Sequence, residues 1–204
     1  MKTKFNRNQL MVMIVIFYLA GISVFTGVSY LDHKEDFENS VDRQLGWAAA
    51  GGALLLTNEY HSENLIKSDI SEEKYLKMAR LLSEYNQKMK TAYIYSFIKK
   101  ENRIYYTATS YKESEWDNAY QKDFLVEYPA ATPLLKSTFT SLHTTYEVGT
   151  DKFGTFKSIF IPLKAKDGSI YVIGADLDIS YIETILQEKM ILDMLIGLYF
   201  LLII

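Results

Sequence analysis

The chain of 204 residues contains no cysteine, which excludes a disulfide framework, thiolate metal sites and cysteine nucleophiles, and leaves the redox compartment open. Proline occurs only 3 times and glycine 10 times, too few for a fibrous or low-complexity chain. Positive charge is not in excess. Lys and Arg number 22 against 25 Asp and Glu, a net charge of -3, so nothing spread along the chain would neutralise a phosphate backbone and no nucleic-acid partner is expected. The 3 histidines, His33, His61 and His143, stand far apart and outside any pattern such as His-Glu-x-x-His. Gly149 to Gly154 carries Lys152 but lacks the Gly-Lys-Ser/Thr ending of a phosphate loop, and there is no Gly-x-Ser-x-Gly elbow. The reading therefore assigns no catalytic residue, no metal and no cofactor.

What is present is a hydrophobic share of 49% with 23% charged residues, the balance of one folded domain with a core. Tyrosine is abundant at 16 residues, and its apolar ring with a polar tip suits a half-wet pocket as well as a core. Leu10 to Val28 reads LMVMIVIFYLAGISVFTGV without a charge, long enough to cross the hydrocarbon layer as a helix. Lys2, Lys4 and Arg7 precede it and a mostly acidic stretch from Asp32 to Asp42 follows, so the positive-inside bias puts the N-terminus in the cytoplasm. The competing reading, a cleaved signal peptide, fits less well because the run is long and its exit, TGVSY, is a poor cleavage site. At the other end Met190 to Ile204 reads MILDMLIGLYFLLII, too short to span alone; it is expected to be the start of a second membrane helix, truncated, with an interfacial or core tail as the alternative. The boundaries are then 1–9 cytoplasmic, 10–29 transmembrane, 30–188 extracytoplasmic and 189–204 the start of the second span.

Between the apolar ends, Val41, Leu45, Ala48, Gly52 and Leu55 keep a three-to-four spacing, which predicts that the membrane helix continues outward as a rod over Ser29 to about Asn58. The small residues from Ala48 to Gly52 let another backbone approach, either a sheet or the rod of a homodimer partner. A second helix is announced by Asp69 or Ser71 as cap, with Glu72 and Glu73 in its first turn, and runs to about Lys90. Alternation then predicts a hairpin, Ala92–Ile98 and Arg103–Ser110. Tyr111 to Leu142, with Pro129 and Pro133, is expected to hold short helices and loops; three further strands cover Thr144–Val148, Gly154–Leu163 and Ser169–Asp176, the last two joined through Asp167-Gly168. The fold class is α+β, a five-stranded antiparallel sheet with a long N-terminal helix. A last helix begins at Ser180, where Ser-Tyr-Ile-Glu matches a capping box.

Asp151, Phe153-Gly154, Phe156-Lys157-Ser158, Pro162, Gly168, Tyr171 and Gly174-Ala175-Asp176, with the earlier Tyr93-Ile94-Tyr95 and Tyr128-Pro129, resemble the Cache family. These are the PAS-like extracytoplasmic sensors of bacterial chemoreceptors, histidine kinases and diguanylate cyclases. The resemblance covers about residues 30 to 185 in layout and is specific over the last third. It implies a small ligand held between sheet and insert, in a receptor of the bacterial cytoplasmic membrane. The expected ligand is an amine, an amino acid or a short carboxylate. Where the amino-acid-binding branch has an Arg close to a Trp-Tyr pair, this chain sets Glu113, Glu115 and Asp117 around Trp116 and Tyr120, which suits a cationic or neutral ligand better.

The candidate ligand contacts are Tyr95, Tyr105 and Thr107 from the hairpin, Trp116, Tyr120 and Tyr128 from the insert, and Asp151, Lys157 and Ser158 from the later strands. Residues two apart in a strand share a face, so Tyr93, Tyr95 and Phe97 should point together, as should Tyr105, Thr107 and Thr109. Lys157 and Ser158 should point oppositely, and at most one should line the pocket. Asp176 reads as a strand-end residue that sets the following turn. A membrane-tethered binding protein or enzyme without a cytoplasmic output module is the alternative to a receptor.

Overall fold

The computed structural model describes residues 6–56, 60–62, 64–151 and 154–201, the side chain of Asp151 excepted. The chain divides into two compact units, Met1–Asn39 with Tyr181–Ile204, and Ser40–Ser180. The first proline is Pro129, so nothing breaks the N-terminal helical pattern, and α1 runs unbroken over Arg7–Leu55.

In the first unit, α1 lies beside α5, Ile182–Leu201. Tyr18 donates to the Gly197 carbonyl at 2.9 Å, Ser29 Oγ to Asp193 Oδ2 at 2.6 Å, and the rings of Phe37 and Tyr181 meet edge-on at 6.3 Å. Rising positions on one helix meet falling positions on the other, so the two run antiparallel. Gly197 permits the approach, because a Cβ there would stand 3.0 Å from Ile22. Their outer faces stay apolar and exposed, with Phe17, Val24 and Phe25 on α1 and Leu192, Leu195 and Phe200 on α5. Among the described residues, α1 is the one helix long and apolar enough to cross a membrane; Glu188, Lys189 and Asp193 interrupt α5.

The second unit is built on an antiparallel sheet of five strands in the order β2-β1-β5-β4-β3. The strands are β1 Tyr93–Lys100, β2 Arg103–Thr109, β3 Thr145–Asp151, β4 Gly154–Lys164 and β5 Ile170–Asp178. One face is covered by α1 and by α2, Glu72–Met89, whose N-cap Ser71 accepts from Lys74 N at 3.2 Å and whose C-cap Lys90 takes the left-handed conformation. Val41, Leu45, Ala48 and Ala49 of α1 are buried, and Gly52 approaches so closely that a Cβ would reach 2.7 Å from Ile94. The opposite face carries Tyr95, Phe97, Phe160 and Val172 under α4, Pro133–Ser141, which starts with Thr132 as cap and proline in its first turn. Between β2 and α4 come a single 3-10 turn, Glu113–Glu115, and a short helix, α3, Ala119–Asp123.

The expected elements are all present, with two differences of register. In the hairpin, pairing jumps from Ser96↔Ala108 to Phe97↔Tyr106 and skips Thr107, a bulge that breaks strict alternation. Ser180 does not stand at the helix start: α5 begins at Ile182, and the Ser180 hydroxyl instead accepts from Thr155 N at 2.8 Å, fastening the start of β4 to the end of β5.

Candidate functional site

The sheet face under α4 and the insert holds two adjoining cavities. The larger, about 550 Å³, lies between Tyr93, Tyr95, Tyr106 and Thr109 on the sheet and Tyr111, Glu115 and Asp123 on the insert. The smaller, about 370 Å³, lies between β3, β4 and α4, walled by Tyr95, Tyr128, Leu135, Phe156 and Phe160, with Ser158 and Glu147 among its polar groups. Both are lined by Tyr95 and Asp176, so the Tyr95 hydroxyl, which donates to Asp176 Oδ1 at 2.6 Å, marks the boundary between them.

Sheet register explains why these groups converge. Glu147 pairs with Ser158, Ser158 with Asp176, and Asp176 with Tyr93, so four side chains from β3, β4, β5 and β1 form one row across a single face. Tyr93 extends the row by donating to Glu115 at 2.8 Å. Gly174 makes room for the tyrosine: a Cβ there would lie 2.2 Å from the Tyr95 ring. Burial pushes the Asp176 carboxyl up to about 6 despite the hydrogen bonds from Ser158 and Tyr95, which favour its charged form. Among the described residues no lysine or arginine forms an ion pair with it.

The far wall of the larger cavity is a hydroxyl chain. Tyr111 donates to Asp123 Oδ2 at 2.7 Å, and the Tyr75 and Tyr111 hydroxyls lie 2.7 Å apart. Because Tyr111 has one proton, its donation to Asp123 makes Tyr75 the donor to Tyr111, and the chain carries polarity from α2 to the cavity. Burial raises the Asp123 carboxyl, and it raises Tyr75, Tyr95, Tyr106 and Tyr111 beyond any physiological titration, so these phenols stay neutral donors. One cation shares the lining: Lys122 stands on the wall of the larger cavity beside Asp123 and donates to the Asp117 carbonyl at 2.6 Å, while Lys112 stands 4.7 Å from the centre of the Tyr93 ring. The combined cavity is a tyrosine-walled cage with an excess of carboxylate. Among the described residues no cluster of side chains is suited to hold a metal ion.

No family model matches the chain, and no curated protein does. Solved structures do. The sensory domain of the Campylobacter jejuni chemoreceptor Tlp3 (CcmL) with isoleucine bound is similar at a TM-score of 0.44 and 13% identity, covering 88% of this chain and 65% of that one. The ligand-binding domain of the same receptor is similar in complex with L-valine, at a TM-score of 0.45, 13% identity and the same coverage of 88% and 65%. It is also similar in complex with 4-methylisoleucine, at 0.45 and 14% identity, covering 79% of this chain and 58% of that one. The chain thus spans about 65% of the length of the first two structures.

Of the residues singled out from the sequence, the structure brings Tyr95, Tyr128 and Ser158 to the cavities. Thr107, Tyr105, Trp116, Tyr120 and Lys157 go elsewhere. Thr107 is the bulged residue and turns to the helical face, where its hydroxyl lies 2.6 Å from that of Ser96 in a fully buried pair. Tyr105 packs beside it against the cluster of Tyr60, Ile70 and Tyr171, while the bulge sends Tyr106 and Thr109 to the cavity instead. Trp116 lines a separate surface cleft with Arg80 and Glu113, the guanidinium 5.8 Å from its ring. Tyr120 donates to the backbone carbonyls of Lys67 and Ile70 at 3.1 and 3.0 Å and stacks on Phe124, a structural role. Lys157 points away from Ser158, as alternation requires, and pairs with Asp42 of α1 at 2.5 Å. Asp151 ends β3, with its side chain outside the described residues, as is Phe153.

Asp176, read from the sequence as a strand-end residue that sets the following turn, stands within β5 two residues before its end, at the junction of both cavities. Glu147, Asp123 and the three tyrosines Tyr93, Tyr106 and Tyr111 were also missed. Alternation sorts residues only within a strand; that Glu147 of β3, Ser158 of β4 and Asp176 of β5 share one face follows from strand pairing and register.

Proposed function

We propose that this chain is the sensing region of a bacterial transmembrane receptor, with a Cache-type domain over residues 30–188 that binds a small organic cation outside the cell membrane. The carrying observation is Asp176, a buried carboxylate with no ion-pair partner among the described residues, set in a cage of tyrosines at the junction of two cavities. Burying a carboxylate without a counter-charge is costly, and a protonated amine entering the cavity removes that cost while its methylenes lie against aromatic faces. A short carboxylate ligand would meet four carboxylates, Asp176, Glu115, Asp123 and Glu147, against the one lysine of the lining, Lys122, so of the three ligand classes the amine suits the site best and an amino acid would enter ammonium first.

In this reading the N-terminus is cytoplasmic, residues 10–29 cross the membrane, α5 enters the same membrane, and the receptor is a homodimer of chemoreceptor type, with kinase or cyclase output as its neighbouring classes. Asp176 lies on β5, which ends at Asp178 shortly before α5 begins at Ile182, so ligand capture pulls on the strand that leads into that helix. A ligand shifts the balance of two arrangements only by binding one of them better.

The test is a thermal-shift screen of the full chain in detergent micelles against amines, amino acids and short carboxylates, in wild type and Asp176→Asn. Amines should raise the unfolding midpoint in wild type alone; stabilisation by carboxylates alone, or by amines in both proteins, would overturn the reading. Since the chain has no cysteine, single cysteines placed in residues 2–6 and at Lys166 test topology: a membrane-impermeant maleimide on whole cells should label only the second.

A further inference from the structure

The smaller cavity holds a second carboxylate that a single ammonium at Asp176 leaves unused. Glu147 stands in the same cross-strand row as Asp176, two strands away, with Ser158 between them. Neighbouring strands are about 4.8 Å apart, so the two backbone positions are separated by roughly 10 Å. Glu147 Oε2 accepts from the Thr132 hydroxyl at 2.8 Å, which holds the carboxylate at the wall of the cavity under the start of α4. Among the described residues it has no ion-pair partner. Lys157, the nearest lysine in sequence to the row, faces the other side of the sheet and is engaged by Asp42. Apart from Ser158 in the row and Thr132 and Thr150 near Glu147, the side chains around the two acids are mainly apolar and aromatic: Tyr128, Leu135, Phe156 and Phe160.

Acid, apolar stretch, acid is the complement of cation, methylene chain, cation. We infer that the ligand is a linear diamine or longer polyamine, one ammonium on Asp176 and another on Glu147, its methylenes against the aromatic wall. With bonds of about 1.5 Å, a spacer of four or five methylenes carries its two nitrogens between side chains rooted roughly 10 Å apart. The larger cavity, beyond Tyr95, offers Glu115 and Asp123 to a third nitrogen. An α-amino acid would set its own carboxylate beside the second acid, and like charges in one cavity repel. This inference rests on the amine reading of Asp176 and adds the second station.

The experiment is calorimetric titration of the full chain in micelles with butylamine, putrescine and cadaverine, in wild type, Glu147→Gln and Asp176→Asn. Glutamine keeps an oxygen for the Thr132 hydroxyl, and unfolding of each variant is followed by circular dichroism. The diamines should bind wild type roughly ten- to a hundredfold more tightly than butylamine, as an additional charge-assisted hydrogen bond warrants, and Glu147→Gln should erase that preference. Equal affinity for butylamine and the diamines, with loss of both in Asp176→Asn, would overturn the second station and leave the amine site standing. Retention of the diamine preference in folded Glu147→Gln would also overturn it. If no amine binds wild type, both readings fall.

Discussion

Replacing Asp176 by Asn should make the empty protein more stable and the sensor deaf. Burial raises the carboxyl from 3.8 to about 6 in the folded chain. A folded value above the unfolded one means that the fold binds the proton more tightly, so this group's contribution to stability is greatest in acid and is lost as pH rises from about 4 to about 6. The difference of roughly two pH units corresponds to about 3 kcal/mol at neutral pH. Asparagine removes that penalty but weakens the hydrogen bond from Tyr95, worth about 1 kcal/mol, so a net gain of about 1–2 kcal/mol is expected. Urea unfolding of wild type and Asp176→Asn at pH 8 and at pH 4, in the same micelles, measures it: the variant should be the more stable at pH 8 and no better than wild type at pH 4. Amine affinity in wild type should decline as pH falls below 6, because protonation discharges the anchor. A variant less stable at pH 8, with the same pH dependence as wild type, would refute the claim that an uncompensated carboxylate is stored in the cavity.

Other expectations concern the scaffold. His61 is fully buried, stacked on Tyr171 at 3.6 Å with neither ring nitrogen hydrogen-bonded among the described residues, and burial lowers it from 6.5 to about 3. Its folded value lies below the unfolded one, so stability is lost as pH falls through 6.5; about 2 kcal/mol should disappear between pH 7.5 and 5, and His61→Phe should abolish that loss in unfolding curves. Gly174→Ala should displace the Tyr95 ring, destabilise the fold by about 1–3 kcal/mol and weaken amine binding, as melting and titration would show. Lys157→Met, on the face away from the cavity, should leave amine affinity within about twofold of wild type in the same titration.

Local chemistry settled the elements. A charge-free run without proline makes α1 helical, Ser71 with Glu72 and Glu73 starts α2, and alternation marks five strands, because each of these signals acts within a turn or a few residues of itself. The sequence also showed that Lys157 and Ser158 face opposite ways, since that follows from the pleat alone. What it could not show is which faces meet. One skipped residue, Thr107, exchanges Tyr105 for Tyr106 as a cavity wall, and nothing local announces the skip. Trp116 and Tyr120 look like pocket aromatics in sequence, yet Trp116 lines a separate cleft beside α2 and Tyr120 is tied to the backbone near Ile70, so neither reaches the two cavities. Asp176 and Glu147 became one site only when β3, β4 and β5 lined up side by side. Register between distant segments is a property of the assembled sheet, and so are the burial of Asp176 and the shape of the cavity around it.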